Sequence, residues 1–262
     1  MRKRYGNPEP SLDDVEEGVE TMPVNEEPVM KAQTVSYKRS LIIGMLIGDS
    51  YSRRRTKADG KLSVEFSVRH SQELKDLVEW KAGKISRLFG ISVEVRDGKD
   101  GDFSRSRFSI TQRKRLRVIH DWFHKNNRKV ISEKIRFMDH PIGIAMLLCD
   151  DGSVRRRKKK HEDGSIYYLA PSITIATHGF SDLEVKLLLQ HIGQVSGAQG
   201  YINPDRRVRR GEKVVYSRTN FNADNSKILW DCVSAWIPRV PSMMKKFQFI
   251  IERYGLNEAA DT

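Results

Sequence analysis

Two carboxylates, Asp49 and Asp151, stand at matching places in the chain, 102 residues apart. Each ends an apolar run: LIIGMLIG leads into Asp49, and IGIAMLLCD leads into Asp151. Each is followed at four, five and six residues by arginine, as Arg53–Arg54–Arg55 and as Arg155–Arg156–Arg157. A carboxylate closing one apolar run is common. The whole unit repeated is not, and it divides the chain into two similar halves. If the two runs lie side by side their carboxylates converge, and converging carboxylates in a basic protein make a site for a hard divalent cation.

What must position them is a pair of helices. Neither apolar run reaches the ~20 residues needed to span a bilayer, so each is a buried helix. Gly44 and Gly48 fall one turn apart on one face, where missing side chains let a second backbone approach closely. The second run supplies Gly143, Ala145 and Cys149 for the same purpose. Two unrelated core helices, each with an Asp in its last turn, are the plainer account of either copy alone, and the repeat argues against it. Asp150 adjoins Asp151, so the ligand in the second copy is one of those two.

Composition points to a polyanionic partner. The 262 residues hold 47 Lys+Arg against 34 Asp+Glu, a formal net charge of +13. Residues 1–34 contain four basic and eight acidic side chains, which leaves +17 on the rest of the chain. A body that basic is suited to nucleic acid. Cys149 and Cys232, with no paired spacing, indicate a reducing intracellular compartment, cytoplasmic or organellar, and no zinc site. No signal peptide or membrane span is legible. Residues 1–34 are polar, contain proline and lack apolar periodicity, and read as a disordered or surface-draped leader. The seven histidines show no metal spacing, and His70 and His178 are expected to end strands rather than bind anything.

The remaining pattern supplies helix, hairpin, helix, hairpin and helix, twice. In the first half, Ser50–Lys57 and Leu62–Arg69 flank a turn at Ala58–Lys61. Leu62, Val64, Phe66 and Val68 alternate with Ser63, Glu65, Ser67 and Arg69, which predicts one core face and one polar face. Ser71 is placed to cap a helix reaching Phe89. A second hairpin joins Ile91–Arg96 to Phe103–Thr111 through Asp97–Gly101, and a basic helix over 113–124 ends in a loop at Asn126–Lys129. In the second half, Ser153–Lys160 and Ile166–Thr177 flank a turn at His161–Gly164. Ser181 and Glu184 form a capping box for a helix reaching Gln194. Tyr201–Arg210 and Lys213–Phe221 form a basic hairpin before the last helix and the Pro238–Pro241 segment.

A two-stranded ribbon fits the major groove of DNA, where every base pair shows a distinct pattern of donors and acceptors. The candidate DNA contacts in the first half are Arg53, Arg55, Ser63, Ser67, Arg69, Arg105 and Arg107. Those in the second are Arg155, Arg157, Ser172, Thr174, Arg207, Arg209 and Arg218. Arginine suits guanine edges and phosphates, and serine and threonine suit either. A solvated sheet face would also carry such residues, but four hairpins sharing one sign, opposite to the leader, favour nucleic acid.

Ile42–Ser50 (IIGMLIGDS) and Ile144–Gly152 (IAMLLCDDG) resemble the nine-residue motif of the LAGLIDADG homing endonucleases, in the branch with two motifs per chain. The first copy departs from the pattern with Ile47 at the sixth position and Ser50 at the ninth. The resemblance implies an α+β fold of two pseudo-symmetric halves, 35–137 and 138–262, behind a leader at 1–34. Antiparallel sheets would form a DNA-binding saddle around paired motif helices at the interface. Asp49 and Asp151 would be the metal ligands, with Mg2+ as the ion and Mn2+ as a substitute. The implied activity is a monomer cutting both strands of a long asymmetric double-stranded target across the minor groove, leaving short 3′ overhangs.

The resemblance also places a basic residue beside each carboxylate. The matching stretches NRKVI and MMKKF assign Lys129 and Lys246, with Lys245 adjoining the second. A lysine there stabilises developing charge or polarises the attacking water; a phosphate-anchoring or solvated lysine is the competing reading. A catalytically silent form of the same scaffold, binding DNA or intron RNA as a maturase does, is the alternative function. Retention of both motif carboxylates favours the nuclease, because binding alone does not need them.

Overall fold

The computed structural model describes residues 26–56, 60–112, 115–209 and 212–258. The chain opens with α1 (Glu26–Ile47), whose last two turns are apolar, then the hairpin β1 (Tyr51–Thr56) and β2 (Leu62–Ser71). A 3-10 turn at Gln72–Leu74 leads into α2 (Lys75–Phe89), which ends at Gly90 in the left-handed conformation. The hairpin β3 (Arg96–Asp100) and β4 (Phe103–Gln112) precedes α3 (Arg115–Phe123) and a short ribbon, β5 (His124–Lys125) and β6 (Arg128–Lys129). The second apolar run is α4 (Pro141–Asp151). After it come β7 (Gly152–Arg155), β8 (Lys158–Lys160), β9 (Ile166–Tyr168), β10 (Ser172–Ala176) and α5 (Asp182–Ser196). The chain closes with β11 (Tyr201–Arg209), β12 (Glu212–Asn220), α6 (Ala223–Val233), α7 (Pro241–Lys246) and α8 (Gln248–Tyr254).

The duplication is plain in the ladders. Read outward from the motif strand, one antiparallel sheet runs β1-β2-β4-β3 and the other β7-β10-β12-β11. Tyr51 pairs with Ser67, which pairs with Ser109; Ser153 pairs with Thr174, which pairs with Asn220. Residues of the two halves therefore correspond one to one along these strands. The core faces of both sheets, including Val64, Phe66, Phe108, Ile173 and Ile175, join one continuous core around α1 and α4. The fold is α+β, with two halves built alike.

At the centre the two motif helices touch backbone to backbone. Every residue from Ile142 to Cys149 is buried, as is every residue from Ser40 to Gly48. A Cβ on Gly44 would collide with the Gly143 backbone, and one on Gly143 with Met138 and the Ser40 carbonyl. A Cβ on Gly48 would strike the Asp150 carboxylate. The opposite end of the pair is tied by polar groups. Asp139 accepts from Ser36 Oγ at 2.6 Å and from Arg39 Nη2 at 2.7 Å, and Arg39 Nε donates to the Phe137 carbonyl at 2.7 Å. His140 caps α4 by accepting from the Ile142 amide at 3.1 Å, with Pro141 in the first turn where no N–H is missed.

Four local expectations are corrected. The backbone is already helical at Glu26, nine residues inside the stretch read as leader. Residues 1–25 of that leader lie outside the described residues. Ser71 caps no helix, because it remains in the β2–β4 ladder opposite Arg105 and a 3-10 turn intervenes. The second hairpin turns at Gly101 and Asp102, where Gly101 takes a φ of +61°, so the ladder closes at Asp100 and Phe103 and 91–95 is irregular. In the second half each long strand breaks in two near Pro171, which has no N–H for a ladder, and β8 pairs with β9 as a separate ribbon. The capping box of Ser181 and Glu184 is present as expected.

The Gly44 contact should therefore be the least substitutable in the core. Gly44→Ala is expected to cost about 3 kcal/mol in urea unfolding, at the upper end for overpacking, because the neighbour that must give is backbone. Gly83→Ala, in the middle of α2 with open space at its Cβ, should instead be neutral or stabilise by about 0.5–1 kcal/mol. Equal effects at the two glycines would contradict the contact.

Candidate active site

The C-terminal ends of α1 and α4 meet. The Asp49 amide donates to Asp150 Oδ2 at 3.2 Å, so the two motifs are joined at the residues that carry their carboxylates. Asp49 itself is half-exposed, with 50% of its side chain accessible, and opens on a groove. Asp151 is half-buried, and among the described residues no donor hydrogen-bonds to its carboxylate. Burial pushes its carboxyl up and the neighbouring Asp49 and Asp150 push it further, to about 7, against the pull of Lys129 and Lys246. A half-buried carboxylate that has no donor and is crowded by two others is the electrostatic condition that a divalent cation relieves, so Asp151 beside Asp49 fits such an ion.

Two lysines reach this place by equivalent routes. Asn126 and Asn127 both take left-handed φ values, 50° and 59°, and close the β5–β6 ribbon as a two-residue turn. That turn sends Lys129 back under α1, where Nζ donates to the Gly48 carbonyl at 2.5 Å. Lys246, the last residue of α7, donates to the Cys149 carbonyl at 2.5 Å and to the Asp150 carbonyl at 3.1 Å. Gly48 and Asp150 each immediately precede a motif carboxylate, so the two ammonium groups are matched. Burial holds both lysines below the usual lysine value, against the raising influence of the nearby carboxylates. Lys245 is exposed and makes neither contact.

Each lysine-bearing segment is gripped by the other half of the molecule. Glu184, at the start of α5, accepts from the Ile131 amide at 3.1 Å and from Arg128 Nη2 at 2.6 Å, beside Lys129. Asp76, at the start of α2, accepts from the Ser242 amide at 2.8 Å, at the head of the helix that ends in Lys246. Burial would raise both carboxyls, but the donated hydrogen bonds outweigh it and hold them below their ordinary values.

Three residues complete the site: Asp150, weighed in the sequence only as an alternative ligand, His70, expected there only to end a strand, and Lys81, which the sequence reading passed over. Asp150 is fully buried and ion-paired to Lys81, which is equally buried. His70 Nε2 lies 3.2 Å from Lys81 Nζ and 3.4 Å from Asp150 Oδ1, and His70 Nδ1 lies 3.7 Å from Asp49 Oδ2. Burial alone would push the Asp150 carboxyl up; the Lys81 ammonium and the His70 ring outweigh it and hold the carboxyl down at about 2. Asp49, His70 and Asp150 bring one ligand atom each within 4.8 Å of one another, but Lys81 already supplies the positive charge there. The available signal was Lys81 itself, a charge at a core-facing position between Val78 and Ile85 of α2.

The expected DNA contacts divide. Asp49 shares a groove of about 720 Å3 with Arg53, Ser67, Arg69, Arg105 and Arg107 from the first sheet. The matching groove on the second sheet, about 400 Å3, is lined by Arg155, Arg157, Ser172 and Thr174. Several arginines already hold acids on other strands of the same sheet. Arg53 and Arg55 share Glu65 at 2.5 and 2.7 Å, and Arg69 and Arg105 share Asp100 at 3.3 and 3.5 Å. Arg218 pairs with Asp205 at 2.9 Å, which His178 also contacts at 3.0 Å. Ser63 is buried and donates to the Arg55 carbonyl at 3.2 Å, while Thr174 bonds Ser153 at 2.6 Å. Arg207 and Arg209 stand in β11, and their side chains lie outside the described residues.

Comparison with known proteins gives one family. The description of the LAGLIDADG DNA endonuclease family matches residues 39–207. No curated protein matches the chain by sequence. Among solved structures, the homing endonuclease I-WcaI bound to its DNA recognition sequence superposes with a TM-score of 0.56 and 16% identity, covering 87% of this chain and 96% of that one. The homing endonuclease I-DmoI in complex with DNA and Ca superposes with a TM-score of 0.50 and 12% identity, covering 80% and 97%. Mesophilic variants of I-DmoI give 0.50 and 13%, covering 80% and 97%. At these identities the likeness is one of fold.

The two cross-half carboxylates make a pH prediction. Because Asp76 and Glu184 are held low in the folded state, their contribution is complete at neutral pH. It begins to fade below about pH 4.5 and is lost as pH falls through the depressed folded values. Asp76→Asn and Glu184→Gln should therefore lose less urea resistance between pH 7 and pH 3 than the parent protein. A steeper acid loss in either variant would contradict the grip.

Proposed function

This chain belongs to the LAGLIDADG DNA endonuclease family, and we propose that it is a monomeric, site-specific endonuclease that hydrolyses both strands of a long asymmetric DNA target with a divalent cation. The observation that carries the reading is the contact of Asp49 with Asp150 at one end of the helix pair, which leaves Asp49 close enough to raise the Asp151 carboxyl, with a matched lysine behind each motif carboxylate. Mg2+ is the expected ion, with Mn2+ as a substitute. Held by Asp49 and by Asp151 beside one scissile phosphate each, one per strand, it would activate water and offset charge on the phosphate and the leaving oxygen.

The chain's own groups do the rest. Lys129 and Lys246 are anchored through the carbonyls of Gly48, Cys149 and Asp150, with protons directed at the motif ends. Partial burial makes each less strongly protonated than a surface lysine, suiting it to polarise water as well as to stabilise an oxyanion. The two grooves offer an arginine-rich first half-site and a second lined by Ser172, Thr174, Asn203 and Asn220 as well as arginine. Unequal readers in one chain suit unequal half-sites, whereas a homodimer would copy its symmetry onto the DNA. I-WcaI and I-DmoI, which share the fold, were solved on DNA, and this supports the same use of the saddle here.

The test uses a plasmid carrying the gene's uninterrupted insertion site. With Mg2+ the protein should cut it, and Asp49→Asn or Asp151→Asn should lower cleavage by about 100-fold or more while duplex binding persists. Full cleavage by either variant would remove that residue from the site. Sedimentation should show one chain per duplex. Neutralising about six phosphates would make log affinity fall with log salt at a slope near −5. Arg107→Ala should weaken recognition on one half-site only, by about 1–3 kcal/mol if it reads a guanine. Two chains per duplex, or equal losses on both half-sites, would rule the binding mode out.

A further inference from the structure

The two halves pair their strands in the same order and register, but the surroundings of their motif carboxylates do not match. Tyr51 and Ser153 correspond, as do Ser67 and Thr174, so His70 corresponds to Thr177. Gly90 and Gly197 both end their helices in the left-handed conformation, so Lys81 corresponds to Leu188, each nine residues earlier. Asp150 corresponds to Gly48, each one residue before a motif carboxylate. Asp150, Lys81 and His70 on one side thus stand where Gly48, Leu188 and Thr177 stand on the other. Leu188 is an ordinary core residue, and Thr177 donates to the Ser217 carbonyl at 2.7 Å, away from any motif carboxylate.

The polar trio is complete and points one way. Lys81 and Asp150 neutralise each other with no solvent access. His70 Nε2 lies 3.2 Å from Lys81 Nζ and 3.4 Å from Asp150 Oδ1, so the buried pair holds this ring nitrogen, and Nδ1 is turned to the side of Asp49. The second oxygen of Asp150 accepts the Asp49 amide at 3.2 Å. Asp49 is thereby approached at backbone and at carboxylate. Asp151 has no equivalent, because the space opposite Asp150 admits only the glycine at position 48.

Resting on the endonuclease reading, we propose that Lys81, Asp150 and His70 are positioning residues for Asp49 alone, so that the two strands of the target are cut at unequal rates. Groups that orient a metal-ligating side chain are worth about 10–100-fold in metal affinity or activity when removed. Only one of the two cuts has such support. Removing one member of the buried pair would leave an uncompensated charge and unfold the site, which confounds any single variant. The other half supplies the remedy: the triple variant H70T/K81L/D150G installs its counterpart residues at all three places.

The experiment follows each strand of the doubly end-labelled target separately, using the full chain with Mg2+. The parent should cut one strand before the other. The triple variant, confirmed as folded by thermal unfolding and as DNA-binding by titration, should slow one strand by about 10–100-fold and leave the other within about twofold, so that nicked duplex accumulates. Calorimetric titration with Ca2+ should show one weakened ion and one unchanged. Both strands slowing equally, neither slowing, or an unaltered Ca2+ isotherm would overturn the positioning role while leaving the endonuclease reading intact. A parent protein that cuts neither strand would overturn the endonuclease reading and the strand order together. A triple variant that does not fold would show the trio to be structural, and would overturn the proposal.

Discussion

Everything in this molecule hangs on a backbone contact between two helices. Gly44 and Gly143 have no side chains, so α1 and α4 approach until carbonyl meets glycine. The approach joins two sheets of the same strand order around one core, and it brings two residues 101 positions apart, Asp49 and Asp150, into hydrogen-bond contact. Apolar burial would hold the helices together at many separations. Only the glycines set the distance at which their terminal carboxylates share one site.

The same closeness forces the halves apart in chemistry. Positions 48 and 150 face each other across the pair, and there is room for one side chain. Asp150 takes it, and a buried carboxylate must be paired, which Lys81 does from the core face of α2. A perfectly symmetric pair would need glycine at both places. The asymmetry is thus a packing consequence before it is a functional one, and His70 extends it to Asp49. Fixing the lysines is handled symmetrically instead: each half clamps the other's lysine segment through a carboxylate at a helix start, Asp76 or Glu184. Neither half can assemble its site without the other.

The helix pair, the duplication, the motif carboxylates and the capping box were legible because each is a local pattern of residue type and spacing. Lys129 and Lys246 were legible only through the family resemblance; what places them is the left-handed Asn126–Asn127 turn and the helix ending at Lys246. The Lys81–Asp150 pair was not legible, since its partners lie 69 residues apart and a lysine in a helix reads as surface until its neighbours are known. The strand errors have the same character. Gly98 and Gly101 are equal candidates for a turn in sequence, and the ladder from Arg96 to Asp100 decides for Gly101. Pro171 is visible, but that it splits one strand into two sheets depends on what lies on either side.

On the proposed function, divalent cation belongs at the motif carboxylates Asp49 and Asp151 and not in the neighbouring cluster of Asp49, His70 and Asp150, where Lys81 already supplies the charge. The most direct measurement is anomalous diffraction from the protein crystallised on its target with Mn2+. Peaks coordinated by Asp49 and Asp151, with Lys81 still paired to Asp150, are the predicted result. A peak at Asp150 and His70 with Lys81 displaced, or density that leaves Asp151 without an ion, would contradict the account.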